Sequence, residues 1–191
     1  MSDIKDNESF TYTHQDIKKT LERVIETAQK VRDAGAALFD RALDWYSKED
    51  QVTTLDTITS NTKMLSKVDG LCNYIALHID KDDPLWASPS NMKKFEGMTT
   101  DEIINNYKDA TDQLKKDVLT LEGVTTILHP SIQEEKQLYN FVVSDIKDNA
   151  NGIFVSLNEI EKAHDMNNIR TSIARGEEIS PRSVGAFIPR K

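Results

Sequence analysis

Apolar residues recur along most of this chain at helical spacing. Ile17, Leu21, Val24, Ala28, Val31, Gly35, Leu38, Ala42 and Trp45 follow one another in alternating steps of four and three. A 3.5-residue period keeps one seam turned toward a partner helix, which is the condition for coiled-coil packing. The pattern predicts one helix from about residue 15 to 47, with Lys18, Lys19, Glu22, Arg23, Glu26, Lys30, Arg32 and Asp33 solvating its other faces. The seam thins at Gly35 and Ala42, where a neighbouring backbone can come close. Gly35 weakens the helix by roughly 1 kcal/mol relative to Ala, which a long seam absorbs.

Ser47-Lys48-Glu49-Asp50 reads as a short polar connection. A second repeat follows in Ile58, Asn61, Leu65, Val68, Cys72, Ile75 and Ile79. Two helices of similar length joined by a short turn predict an antiparallel coiled-coil hairpin over residues 14–81. Asn61 is the polar exception in its seam, and one buried Asn there fixes register or association state at some loss of stability. Asp80 to Pro84 ends the pattern, and residues 82–98 form a linker in which Pro84 and Pro89 forbid a continuous helix. Trp86, Phe95 and Met98 in this linker are expected to pack back over a helix end, the alternative being an exposed binding patch.

Thr99 with Glu102 is a capping box. Ile104, Tyr107, Thr111, Leu114, Val118 and Leu121 then predict a third helix over about 100–122, ending near Gly123. Ser131 with Glu134 repeats the capping signal. Leu138, Val142, Ile146, Ala150, Ile153, Leu157 and Ile160 predict a fourth element from about 132 to 173, as one long helix or as two in line with a break at Asn149–Gly152. Residues 99–175 thus form a second long helical pair. Residues 1–13 and 176–191 are polar and aperiodic, and read as flexible N- and C-terminal tails. No alternating strand pattern occurs. The fold class is all-α, bundle-like.

Composition narrows the function. The 191 residues carry a net charge of −8, so contact with nucleic acid is expected only through a local basic patch. The single cysteine, Cys72, excludes an intrachain disulfide and a cysteine-rich zinc site. The acidic start of the sequence does not read as a signal peptide, and no long apolar run spans a membrane, so a cytoplasmic protein is expected (host cytoplasm or virion if viral).

Candidate chemistry is sparse. His14, His78, His129 and His164 lie in four different segments, and none has a Glu three positions before it, as a di-iron bundle site requires. They read as structural histidines. Asp80, Asp82 and Asp83 lack the Gly and Glu of a calcium loop and read as a helix end in a solvated turn. Cys72 falls on the seam, where a thiol acts as a small hydrophobe. No phosphate-binding, dinucleotide or nucleophile-elbow motif occurs. No catalytic residue, cofactor or metal is therefore expected.

The first hairpin resembles the central segment of the small terminase subunits of large contractile-tailed phages. The matching stretches are Tyr12 with Leu21-Glu-Arg-Val-Ile-Glu26, Asp33-Ala-Gly-Ala-Ala-Leu-Phe-Asp-Arg-Ala-Leu43, Thr59-Ser-Asn-Thr62 and Ile75-Ala-Leu-His-Ile-Asp-Lys81. The turn carries Lys48-Glu49-Asp50 where that family commonly has a Pro-Arg pair. The resemblance implies a ring-forming, non-enzymatic subunit that recognises viral DNA and regulates a motor, with the hairpin at the ring interface.

The residues lead to an assembly or adaptor protein, and a homo-oligomer is one expected form. One alternative is a helical chaperone or adaptor that docks partner helices. The other, from a different class, is a bundle enzyme or metal carrier that uses the histidines. Protein contacts are assigned to Leu21, Val31, Leu38, Asn61 and Leu65 on the coiled-coil seams and to the C-terminal tail. In the tail, Arg182 and Arg190 interleave with Phe187 and Ile188, which predicts a docking segment with Phe187 as anchor, the alternative being a disordered end with two stray apolar residues.

Overall fold

A computed structural model of the chain describes residues 10–176. Among these residues, four long helices account for the architecture: α1 (His14–Ala42), α2 (Lys48–Ile79), α3 (Thr100–Thr126) and α4 (Lys136–Arg175). Short 3-10 turns lie at Lys93–Phe95 and Pro130–Glu135. The fold is an all-α bundle, as the periodicity requires.

Helix boundaries follow side chains that satisfy the orphan backbone groups at helix ends. α1 starts where the Thr13 N–H donates to the Asp16 carboxylate at 2.9 Å. It stops at Ala42, short of the expected 47. Ser47 instead caps α2, its hydroxyl accepting from Asp50 N at 3.3 Å. The acids Glu49 and Asp50 then occupy the positively polarised first turn. The expected connection Ser47–Asp50 is thus mostly the first turn of α2. Gln51 closes the turn by donating its amide to the carbonyls of Ala42 (3.0 Å) and Leu43 (2.6 Å).

At α3 the capping box forms as expected, with Glu102 N donating to Thr99 Oγ1 and Thr99 N donating to Glu102 Oε1, both at 3.1 Å. Gly123 does not end α3, which runs to Thr126. The second capping signal is not used: Ser131 N donates to His129 Nδ1 at 3.1 Å, and the chain makes a 3-10 turn before α4. α4 is one unbroken helix through Asn149–Gly152, and it ends at Gly176, which takes the left-handed φ of 70° that favours glycine.

α1 packs on α2 and α3, and α4 packs on the same two helices. Around the bundle the order is therefore α1, α2, α4, α3. Tyr12, just before α1, lies beside the end of α3: its N–H donates to Ile127 O and its carbonyl accepts from His129 N, each at 2.8 Å. Tyr12, assigned by sequence to the tail, is thus held in place. This contact makes α3 antiparallel to α1, so the directions run up, down, down, up. Residues 80–99 form the one long crossover, which carries the chain from the bottom of α2 to the top of α3. A bundle with one such crossover is a distinct topology from one with short loops throughout.

Both expected seams point into one shared core. Ile17, Leu21, Val24, Ala28, Val31 and Leu38 of α1 are buried, as are Ile58, Leu65, Val68, Cys72 and Ile75 of α2. They join Ile103, Tyr107, Leu114, Val118 and Leu121 of α3 and Tyr139, Ile146, Ile153 and Ile160 of α4 in one continuous cluster. At Gly35 the neighbours are side chains and not the backbone expected there. A Cβ there would lie 3.4 Å from Tyr107 Cε1 and 3.5 Å from Ile58 Cγ2, both ordinary van der Waals contacts.

The crossover is fastened at several points. Leu85 N donates to Asn73 Oδ1 at 2.8 Å. The buried Asp33 carboxylate accepts from Ser90 Oγ (2.8 Å), Asn91 N (3.0 Å) and Gln29 Nε2 (2.8 Å). Lys18 pairs with Asp83. Leu85 and Phe95 are buried and Met98 packs against the core, as expected of an apolar linker, but Trp86 projects outward and is 82% exposed.

Truncating Leu21, Val31 or Leu38 to Ala is expected to destabilise the bundle by about 2–5 kcal/mol each, because all three side chains are fully buried. Urea denaturation followed by circular dichroism measures this. Losses below about 0.5 kcal/mol at all three would contradict the core assignment.

Candidate interaction surface

Asn61 lies inside the bundle, 1% exposed, where α2, α3 and α4 meet. Its amide nitrogen donates to Tyr107 Oη at 2.7 Å and to Ser156 Oγ at 2.8 Å. Ser156 Oγ also lies 3.0 Å from Asn61 Oδ1 and 2.7 Å from Ile153 O. The seam's polar exception is thus a satisfied node between helices of one chain. Burial pushes the Tyr107 hydroxyl up to about 12, a shift that the Asn61 hydrogen bond partly offsets. A second polar contact ties α1 to α3 through Thr27 Oγ1 and the Asp117 carboxylate, which Gln113 also contacts at 2.9 Å.

The four histidines are spread over both ends. At the lower end, His14 Nε2 sits 3.2 Å from Tyr139 Oη, and His78 Nε2 sits 2.7 Å from Glu135 Oε2. His129 contacts Ser131. At the upper end, His164 is buried, contacts Asp101 at 2.8 Å and lies with its ring centroid 5.4 Å from that of Trp45. Among the described residues, no three His, Cys, Asp or Glu side chains are grouped to hold a metal ion. Burial pushes the Cys72 thiol well above its usual range, with the Asp69 carboxylate adding to the shift, so the reactive thiolate is disfavoured.

Also at the upper end, Arg170 donates to Ser47 Oγ and Glu49 Oε2, both at 3.0 Å, and lies 3.4 Å from Asp50 Oδ2. Asn167 Oδ1 accepts from Ser47 N at 2.9 Å. Arg170 thus fastens α4 to the α1–α2 turn.

A recess with a more apolar lining lies elsewhere. Between the outer faces of α1 and α2 runs an open groove of about 400 Å³. Ala36 and Phe39 of α1 and Ile58 of α2 form its apolar lining, and Thr59 and Thr62 border it. Arg32, Asp40 and Lys63 stand at its rim. Arg32 is already engaged, with Nη2 2.7 Å from Asp69 Oδ2.

The sequence-assigned contact residues fall into two groups. Leu21, Val31, Leu38, Asn61 and Leu65 are buried in their own bundle and present no surface. Arg182, Phe187, Ile188 and Arg190 lie outside the described residues. The groove residues Ala36, Phe39, Thr59 and Thr62 were missed because a strict heptad reading gives non-seam positions to solvent. The available signal was the broad apolar stretch Ala34-Gly-Ala-Ala-Leu-Phe39, wider than a coiled-coil seam needs.

Among the described residues, no helix is long and apolar enough to cross a membrane. No protein-family model, curated protein or solved structure matches this chain.

Asn61→Leu alone is expected to lower stability by about 1–3 kcal/mol, because it strands the Tyr107 hydroxyl in the core. This reverses the gain that a lone seam asparagine predicts. Adding Tyr107→Phe should recover much of the loss. A double-mutant cycle by urea denaturation checks the coupling, and additive effects would mean that the two side chains do not depend on each other.

Proposed function

We propose that this protein is a non-enzymatic helical adaptor that docks an amphipathic helix of a partner protein in the groove between α1 and α2. The observation that carries this reading is the groove itself: an apolar lining of Ala36, Phe39 and Ile58 with polar residues at its rim, on a well-packed bundle. Helix-in-groove recognition uses this arrangement, with anchors of the incoming helix spaced at i, i+3 or i+4, and i+7. The neighbouring helices are held by the core, so the groove needs little ordering when it is filled. The burial of Cys72, which disfavours its thiolate, favours binding over thiol chemistry. The net charge of −8 favours a protein partner over a phosphate backbone.

A designed amphipathic peptide, with Leu at heptad a and d positions and Lys or Glu elsewhere, tests the groove. Added to the isotope-labelled full chain, it should shift the amide resonances of Ala36, Phe39, Ile58, Thr59 and Thr62. Ala36→Arg, which fills the groove from an exposed helical position, should abolish those shifts without altering the fold. Shifts scattered over all four helices, or none, would remove the docking role.

The ring-forming assembly subunit implied by the terminase resemblance is the competing form of this proposal. Light scattering coupled to size exclusion separates the two. A self-contained adaptor elutes with the mass of one chain, whereas a ring elutes as a many-subunit species.

A further inference from the structure

Resting on the reading of the α1–α2 groove as a docking surface, we propose that the chain carries its own competitor: Val184–Ile188, with Phe187 as anchor, occupies the groove of the same molecule and holds it closed against the partner helix. The groove offers apolar contacts without a described occupant. The sequence beyond Gly176 holds one compact apolar group, Val184, Phe187 and Ile188, set among Arg182, Arg190 and Lys191.

The reach is sufficient. Arg170 and Asn167 place α4 beside the α1–α2 turn, so the chain leaves Gly176 at the same end of the bundle as Ala42. At 1.5 Å per residue, the stretch from Gly176 back to the level of Arg170 and the stretch from Ala42 down to Ala36 together span about 20 Å along the axis. Crossing to the outer α1–α2 face adds about one helix spacing, roughly 10 Å. The eleven residues from Glu177 to Phe187 extend to about 36 Å, more than the path requires.

Charge agrees with this placement. Between residues 40 and 56, at the upper end of the groove, Asp40, Asp44, Glu49, Asp50 and Asp56 face only two basic residues, Arg41 and Lys48. Lys63 stands lower on the rim. Glu49 and Asp50 are engaged by Arg170, which leaves exposed Asp40, Asp44 and Asp56 to meet Arg182, Arg190 and Lys191. Tethering raises the local concentration of the tail, so a modest intrinsic affinity fills the groove. A groove that is covered nine-tenths of the time binds the partner helix about tenfold more weakly than an open one.

The test uses the full chain in two forms, wild type and the double variant Phe187→Ser, Ile188→Ser. Their amide resonances should differ at Ala36, Phe39, Ile58, Thr59 and Thr62, and the amphipathic peptide should bind the variant about tenfold more tightly. Ala36→Arg, made separately, should increase the fast backbone motion of residues 184–188, read by heteronuclear relaxation. Equal peptide affinity in both forms, with residues 184–188 indifferent to Ala36→Arg, overturns the competitor while leaving the groove's docking role intact. Failure of the peptide to reach the groove in either form sinks the docking role instead, and the relaxation measurement still reads the tail directly. Groove shifts that grow over about a tenfold rise in protein concentration assign the segment to a second copy and overturn the intramolecular form.

Discussion

Four amphipathic helices packed on one core can slide past one another by a turn at little loss of apolar burial, because Leu, Ile and Val side chains interchange across an oily interface. The contact among Asn61, Tyr107 and Ser156 removes that freedom. Asn61 and the Tyr107 hydroxyl find these partners in one register, and a slide by one turn strands both in the core, while Ser156 keeps the Ile153 carbonyl of its own helix. The Tyr107 ring also packs beside Gly35, which brings α1 against the same contact. The groove between α1 and α2 depends on the same register, since Phe39 and Ile58 stand on either side of it.

The crossover is the second constraint. A connection that spans the bundle from α2 to α3 closes a long loop, and its ordering must be offset by contacts. Asp33 supplies two of them from one carboxylate, and Asn73 and Lys18 supply others. Burying that carboxylate is tolerable because its charge is shared among several donors. The crossover in turn covers part of the outer face of α1. The groove lies along α1 at Ala36–Asp40, beyond Asp33 toward the upper end.

The surface thus divides by use. At the upper end, Arg170, Asn167 and His164 engage Ser47, Glu49 and Asp101 and hold α4 to the tops of its neighbours. At the lower end, Tyr12 and His14 hold the start of α1 to α3 and α4. Much of the polar chemistry that a sequence reading treats as available for a ligand serves these joints. The α1–α2 face has an apolar lining, and the proposals of partner docking and of an internal competitor both rest on it.

Helix positions were legible because they are local. The 3.5-residue spacing of Ile17 to Ala42, the capping pair Thr99 and Glu102, and the prolines of the crossover act within a few residues of one another. The burial of Leu21, Val31, Leu38 and Leu65 followed from the same periodicity, but their partners did not. A seam states that a face is covered without saying by what, and here α3 and α4 share that task with the neighbouring hairpin helix. The role of Asn61 was hidden for the same reason, since its partners lie 46 and 95 residues away and carry no mark in the sequence. Only tertiary packing could show that the asparagine is satisfied, that Arg170 is engaged, and that Ala36, Phe39 and Ile58 border one groove. Each of these facts depends on the distance between helices, and periodicity along a single helix does not encode that distance.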